Sequence, residues 1–180
     1  MRIIAGKYGG RVIMTPTGRQ MHPMGERIRN AIFNKLGALV NDAYVLDAFA
    51  GTGAIGIEVL SRGASSCVFI EKKRATARIL QQNLEMLGIN GQSGHVVQAT
   101  VLQYLDTTEN NQQFDLIFAD PPYFDPQNSA VQALAKRLKA GGLLILSNPK
   151  SAVDLEIDDL IRIDQRQYAE AKISFYRKNQ

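Results

Sequence analysis

The chain has 180 residues, the usual size of one compact domain with a full hydrophobic core. One cysteine and two histidines are too few for a zinc cluster or an internal disulfide, so we expect no bound metal. No apolar run approaches the ~20 residues of a membrane span, and the first residues lack the apolar region of a signal peptide, so we expect a cytoplasmic protein with no membrane association.

The net charge of +4 is unevenly distributed along the chain. Residues 1–40 carry seven basic side chains and one acidic one, whereas residues 41–180 carry a net charge of −2. A basic segment joined to a mildly acidic domain is typical of an arm that binds a polyanion, although an ordinary solvated face would have the same composition. The candidates for contacts with nucleic-acid phosphates are Arg2, Lys7, Arg11, Arg19, Arg27 and Arg29.

Hydrophobic periodicity predicts alternating helices and strands along the chain. In chain order these are a helix over 26–39, a strand over 43–48, a helix over 53–62, a strand over 66–71, a helix over 73–87, strands over 95–98 and 114–119, a helix over 129–139, a strand over 143–147, and a terminal hairpin over 160–167 and 171–177. The last strand is a candidate for antiparallel pairing. This alternation is typical of an α/β protein with a doubly wound, mostly parallel seven-stranded sheet, which binds ligands at the carboxyl edge of its strands.

A glycine-rich loop follows the first predicted strand, and its candidate binding residues are Asp47, Phe49, Ala50, Gly51, Thr52 and Gly53. Gly51, Gly53 and Gly56 have the spacing of a dinucleotide-binding loop, and Glu71 follows at the distance expected for a ribose-binding acid. Asp47 would repel the pyrophosphate that NAD brings to such a loop. The same carboxylate would attract the ammonium group of S-adenosylmethionine (SAM). The loop therefore favours SAM over NAD.

A second loop, Asp120-Pro121-Pro122-Tyr123, directly follows the apolar run 116–119. Proline has a fixed φ and no N–H, so the turn is stiff and its carbonyls have set directions. The Asp120 carboxylate and the Pro121 carbonyl would accept both protons of an exocyclic amine, while Tyr123 stacks on the ring that carries it. A surface turn that ends a strand accounts for the tetrapeptide alone, but less well for its occurrence together with the glycine loop.

Two more segments carry a family resemblance: 2–6 (Arg-Ile-Ile-Ala-Gly) and 27–34 (Arg-Ile-Arg-Asn-Ala-Ile-Phe-Asn). With these, the glycine loop, 60–64 (Leu-Ser-Arg-Gly-Ala) and the 120–123 turn, the chain resembles the RsmD-type 16S ribosomal RNA guanine-N2 methyltransferases over nearly its whole length. Two positions depart from the family pattern. His22-Pro23-Met24-Gly25-Glu26 replaces the family's Arg-Pro-Thr-x-Asp/Glu, and Thr100 lies where the family has the Asp or Asn that contacts the SAM adenine.

The resemblance implies a class I SAM-dependent methyltransferase with a Rossmann-like fold. It implies a basic RNA-binding extension over 1–24 and a catalytic domain over 25–180. The substrate would be a guanine of 16S rRNA, presented by an assembled or partly assembled small ribosomal subunit to a monomeric enzyme.

Three alternatives stay open at this point. The Asp-Pro-Pro-Tyr turn also suits adenine-N6 methylation of a nucleic acid, and a related Asn-Pro-Pro-Tyr turn acts on a protein glutamine. An NAD-dependent oxidoreductase would share the glycine spacing but is disfavoured by Asp47. An RNA-binding assembly factor without catalysis would need a degraded SAM site, and residues 47–56 and 120–123 show no such loss.

Overall fold

The structure is a computed structural model that describes residues 1–16, 24–107 and 112–179. Its strands are β1 (Tyr44–Asp47), β2 (Ser66–Ile70), β3 (Gly94–Val97), β4 (Phe114–Ala119), β5 (Leu138–Pro149), β6 (Leu160–Gln167) and β7 (Ala171–Lys178). Its helices are α1 (Glu26–Leu36), α2 (Ala54–Ser61), α3 (Arg74–Leu87), α4 (Val101–Thr107) and α5 (Asn128–Ala135), with a short 3₁₀ turn over Gly37–Val40. None of the helices in these described ranges is long and apolar enough to cross a membrane.

The strands form one sheet in the order β3-β2-β1-β4-β5-β7-β6. The first five are parallel, and β7 pairs antiparallel with both β5 and β6. The chain order reverses between β1 and β4, which is where open α/β sheets bind their ligands. The predicted doubly wound, mostly parallel seven-stranded sheet is confirmed, including the antiparallel last strand.

Alternating side chains of the central strands enter two hydrophobic cores. Val45 and Phe69 pack under α1, α2 and α3 on one face, whereas Leu46 and Ile70 pack under α4 and α5 on the other. Strands buried on both faces read as continuous apolar runs, which is why β1, β2, β4 and β5 were recognisable in the sequence.

The N-terminal residues form a hairpin that is bonded to α2. The Ile3 N–H donates to the Arg11 carbonyl at 2.9 Å, and the Gly10 N–H donates to the Ile3 carbonyl at 2.8 Å. The buried Glu58 carboxylate accepts the backbone N–H groups of Ile4 and Ala5 at 2.7 and 3.2 Å. The hairpin formed by residues 1–16 therefore packs into the same hydrophobic core as α1, α2 and α3.

The sequence reading differs from the structure at three elements. Helix α4 was not predicted, and the helix predicted over 129–139 ends at Ala135, with β5 starting at Leu138. The helix predicted over 26–39 ends at Leu36, because the next residue, Gly37, has a φ of 50° that an α-helix cannot continue through.

Candidate active site

A cavity of about 400 Å³ opens at the carboxyl edge of the sheet, at the reversal between β1 and β4. Its walls bring together four predicted segments: the glycine loop, Glu71 after β2, Thr100 before α4 and the 120–123 turn after β4. Met24, which precedes α1, and Phe124 lie in the same wall. The four predicted catalytic residues and five of the eight predicted cofactor residues line this cavity, as expected for loops that follow parallel strands, whereas Asp47, Gly51 and Gly53 do not.

Two positions of the loop and of α2 have room only for glycine. A Cβ on Gly53, whose φ is 87°, would lie 2.3 Å from the Leu80 Cδ1. A Cβ on Gly56 would lie 2.2 Å from the Phe69 Cε1 and 2.8 Å from the Cys67 Sγ. Helix α2 can therefore lie tightly on β2, with its N-terminus at the cavity. The positive, N-terminal end of the α2 dipole therefore faces the cavity, where it favours negatively charged ligand groups.

Asp47 lies beneath the loop and does not form the cavity wall. Its Oδ2 accepts the Gly56 N–H at 2.9 Å, and the side chain is buried. Burial raises the pKa of Asp47 to about 7; the Gly56 hydrogen bond opposes this rise, and the nearby Asp120 and Glu71 carboxylates add to it. In this structure Asp47 fixes the start of α2, and any action on a bound ligand passes through its charge and this helix.

Glu71 joins the glycine loop to the start of α3. Its Oε2 accepts the Gly51 N–H at 3.0 Å, and its Oε1 accepts the Lys73 N–H at 2.7 Å. Burial raises the pKa of Glu71, while these two hydrogen bonds and the charges of Lys73 and Lys72 oppose the rise. Each carboxylate oxygen keeps acceptor capacity toward the cavity, as a ribose diol requires.

Thr100 caps helix α4. Its Oγ1 accepts the Gln103 N–H at 3.2 Å, and the Gln103 Oε1 accepts both the Thr100 N–H and the Thr100 hydroxyl at 3.0 Å. This reciprocal pair is a capping box. The Thr-x-x-Gln spacing was a signal in the sequence that would have found α4. The predicted contact of Thr100 with an adenine stays a prediction, made by a hydroxyl already engaged in the cap.

The 120–123 turn brings the Asp120 carboxylate and the Tyr123 hydroxyl close to the same residue, Ser147. Ser147, near the end of β5, lies beside the Asp120 carboxylate and lowers its pKa, and the Ser147 Oγ lies 3.3 Å from the Tyr123 hydroxyl oxygen. Burial raises the pKa of Asp120 to about 6, and the Ser147 hydrogen bond opposes this rise. The turn is therefore a preorganised acceptor beside an aromatic ring.

Ser147 is a site residue that the sequence reading missed. It is buried, and the pairing of Ala119 with Leu146 across β4 and β5 places it beside Asp120. The available signal was a polar residue directly after the apolar run 143–146, at the carboxyl edge of the strand that follows β4 in the parallel sheet.

The six residues predicted to contact phosphates differ in their exposure to solvent. Arg2, Lys7, Arg11 and Arg27 are exposed, and Arg19 lies outside the described residues. Arg29 is only 1% exposed, and its guanidinium donates to the Met24 and Arg2 carbonyls at 2.7 and 2.8 Å. Arg29 therefore ties the hairpin to α1, and it does not face a phosphate in this structure.

Comparisons with known proteins agree with this architecture. The family described as Conserved hypothetical protein 95 matches residues 1–177. A Haemophilus influenzae relative, named Ribosomal RNA small subunit methyltransferase D, is 32% identical over 153 residues, which cover 83% of this chain and 79% of that protein.

Two solved structures share the fold. The Escherichia coli protein described as putative methyltransferase yhhF has a TM-score of 0.87 and 26% identity, covering 99% of this chain and 98% of that chain. An RNA methyltransferase from Salinibacter ruber, solved in complex with S-adenosyl-L-homocysteine, has a TM-score of 0.67 and 12% identity over 88% of this chain and 95% of that chain. The expected fold of a class I SAM-dependent methyltransferase is confirmed.

Proposed function

This chain belongs to the family described as Conserved hypothetical protein 95, and we propose that it transfers a methyl group from SAM to the exocyclic N2 of a guanine in 16S rRNA. The enzyme class is SAM-dependent rRNA methyltransferase. The observation that carries the proposal is that Asp120 and Tyr123 both lie beside Ser147. They are at the mouth of a cavity that Glu71 and the glycine loop also line.

The cavity residues fit SAM. The Glu71 carboxylate has acceptor capacity for the ribose hydroxyls, and Gly53 and Gly56 let α2 pack closely on the sheet, so that its N-terminus lies at the cavity. SAM supplies a methyl group activated by its sulfonium centre, which leaves as a neutral thioether. Phe49, Ala50 and Thr52 give the remaining surface of the loop. Asp47 stabilises that loop through its bond to Gly56.

The 120–123 turn orients the amine. The Asp120 carboxylate and the Pro121 carbonyl each accept a hydrogen bond from N2, which directs the nitrogen lone pair toward the methyl group. The proton that N2 loses on methylation passes to the Asp120 carboxylate or to water. Tyr123 stacks on the guanine, and Pro122 keeps the turn stiff. Most of the rate enhancement comes from this positioning, because effective molarity gains are large for a well-oriented pair. The guanine must leave its stack to enter the cavity, which costs a few kcal/mol.

The N-terminal segment 1–24 is the proposed RNA-binding extension of a catalytic domain over 25–180. Arg2, Lys7, Arg11 and Arg27 are exposed on the hairpin and on α1. The proposed substrate is an assembled or partly assembled small ribosomal subunit, because a short chain has little surface for reading sequence. The proposed enzyme is a cytoplasmic monomer.

The test is transfer of tritium from labelled SAM to small ribosomal subunits purified from cells that lack this protein. After digestion to nucleosides, label in N2-methylguanosine is the expected result. Label in methyladenosine would keep the enzyme class and overturn the base. Label in protein with none in RNA would overturn the RNA substrate.

The rate should depend on the ionisation of Asp120. The ionised carboxylate is a stronger acceptor for the N2 protons than the neutral acid, so kcat at saturating SAM should rise with pH around 6 and level off above it. Ser147→Ala removes the hydrogen bond that lowers this pKa, and its profile should shift to higher pH. The exposed Ser151→Ala is the control. If the pH profiles of kcat for wild type and Ser147→Ala had the same midpoint, the rate would not depend on the ionisation of Asp120.

Charge reversal of the arm should change the salt dependence of RNA binding. Arg11→Glu with Arg27→Glu should weaken binding and reduce the slope of log K against log salt by about 1.4 to 1.8, the value for two lost phosphate contacts. Lys136→Glu, after α5 on the opposite face of the sheet, is the control and should leave the slope unchanged. An unchanged slope in the double variant would contradict an RNA-binding arm.

A further inference from the structure

The residues Pro122 to Asp125 form a closed β-turn with two exposed aromatic side chains at its centre. The Asp125 N–H donates to the Pro122 carbonyl at 2.8 Å, so Tyr123 and Phe124 occupy the central positions. Their exposed fractions are 43% and 89%. Central turn positions usually hold glycine, proline, asparagine or aspartate, because these residues readily adopt the required φ or hydrogen-bond the turn backbone. Neither aromatic residue serves the backbone of this turn.

The exposure of Phe124 is informative because of where it occurs. Single exposed apolar residues are common on protein surfaces and need no explanation. Phe124, however, lies in the wall of the active-site cavity, directly after the residue that stacks on the target base. The Tyr123 hydroxyl is bound inward at Ser147, whereas the Phe124 ring has almost its whole surface in solvent.

The turn is rigid on both sides of Phe124. Two prolines precede the aromatic pair, and each has a fixed φ. After it, the Gln127 amide donates to the Asp125 carboxylate, and Gln127 itself has a φ of 51° at the start of α5. A left-handed non-glycine residue costs free energy and persists only where its surroundings determine it. The ring is therefore presented without the entropy cost of ordering a loop on binding.

We propose that Phe124 is a stacking platform for the unpaired nucleotide next to the target guanine. The inference rests on the proposed function. When the target base leaves its stack, its neighbour loses a stacking partner on one face. Phe124, one residue beyond Tyr123 at the cavity mouth, replaces that partner. Aromatic stacking tolerates any base, so Phe124 contributes affinity for splayed RNA without reading its sequence.

The test compares Phe124 variants in methyl transfer to small ribosomal subunits purified from cells that lack this protein. Phe124→Ala should raise KM for the subunit about tenfold or more, in line with the loss of one base–aromatic stack. The affinity for SAM, the melting temperature and kcat should stay near wild type. Phe124→Tyr and Phe124→Trp should restore KM, whereas Phe124→Leu, which is apolar but has no π-face, should not.

Val153→Ala is the matched control, because Val153 is 90% exposed and absent from the cavity wall. A KM for Phe124→Ala within twofold of wild type would overturn the inference, as would full rescue by leucine. No RNA labelling by the wild type would overturn the proposed function together with this inference. RNA labelling that is equal in wild type and Phe124→Ala at a subunit concentration well below the wild-type KM would overturn the inference alone.

A second measurement separates RNA from protein as the partner of this ring. A photoreactive benzoylphenylalanine placed at position 124 should cross-link to 16S rRNA at a nucleotide adjacent to the methylated guanine. A cross-link to a ribosomal protein, or to rRNA far from the modified base, would contradict the stacking role.

Discussion

Asp120→Ala is expected to lower kcat by about 10²–10³, the usual cost of removing one preorganised group that stabilises a transition state. The alanine has no acceptor for the N2 protons, so the nitrogen lone pair is no longer directed at the methyl group. SAM affinity should stay within about twofold of wild type, because the proposed contacts with the ribose come from Glu71 and the glycine loop and not from the 120–123 turn. Single-turnover transfer of labelled methyl groups and calorimetric titration with SAM measure the two quantities.

The isosteric Asp120→Asn separates catalysis from folding. Burial raises the pKa of Asp120, so above pH 6 the ionised side chain is less favourable in the folded state than in the unfolded chain. The neutral asparagine relieves this cost, and its melting temperature at pH 7.5 should equal or exceed that of wild type. Its kcat should still fall, since the neutral amide has one acceptor oxygen in place of two and cannot take up the proton that N2 loses. The exposed Asp158→Ala is the control. A near-wild-type rate in Asp120→Ala would remove this residue from the mechanism, whereas a near-wild-type rate in Asp120→Asn would remove only the requirement for its charge.

Glu71→Ala is expected to raise the Kd for SAM about a hundredfold. Hydrogen bonds to a charged group contribute ~1.5–3 kcal/mol each, and the variant loses those to the ribose hydroxyls. It also leaves the Gly51 and Lys73 N–H groups without their carboxylate partner, which loosens the glycine loop. Isothermal titration calorimetry with SAM measures the change.

Two further variants sharpen this test. Glu71→Gln keeps one acceptor oxygen and the shape of the side chain, so its Kd should lie between those of wild type and alanine. Glu85→Ala removes an exposed acid from α3 that bonds only the Gln81 side chain among the described residues, and it should bind SAM normally. If Glu71→Ala binds SAM within twofold of wild type, the ribose lies elsewhere in the cavity.

The sheet and the convergence of its loops were predictable because they depend on local patterns. Apolar runs of strand length mark β1, β2, β4 and β5, which are buried on both faces. Parallel strands with right-handed crossovers bring their carboxyl ends to one edge, so the glycine loop, Glu71 and Asp120 had to meet. The steric demand at Gly56 is likewise visible in the glycine spacing, although only the structure shows that Phe69 and Cys67 fill the space.

Several features could not be predicted because they depend on contacts between distant segments. Arg29 reads as a surface cation of an amphipathic helix, yet it is buried under the hairpin by bonds to Met24 and Arg2. Glu58 reads as an ordinary helix acid, yet it accepts two N–H groups from residues 54 and 53 positions away. No periodicity in the sequence encodes such pairings.

The sequence by itself determined the class of protein, a doubly wound sheet that uses SAM, and it led to the proposal of an acceptor turn for an amine. These follow from short motifs whose chemistry is carried by adjacent residues. Only the tertiary structure decided that Asp47 acts from beneath the loop, that Ser147 joins Asp120 to Tyr123, and that Phe124 faces solvent at the cavity mouth. The physical reason is that strand register and side-chain burial, which set these distances and exposures, arise from packing between segments far apart in the chain.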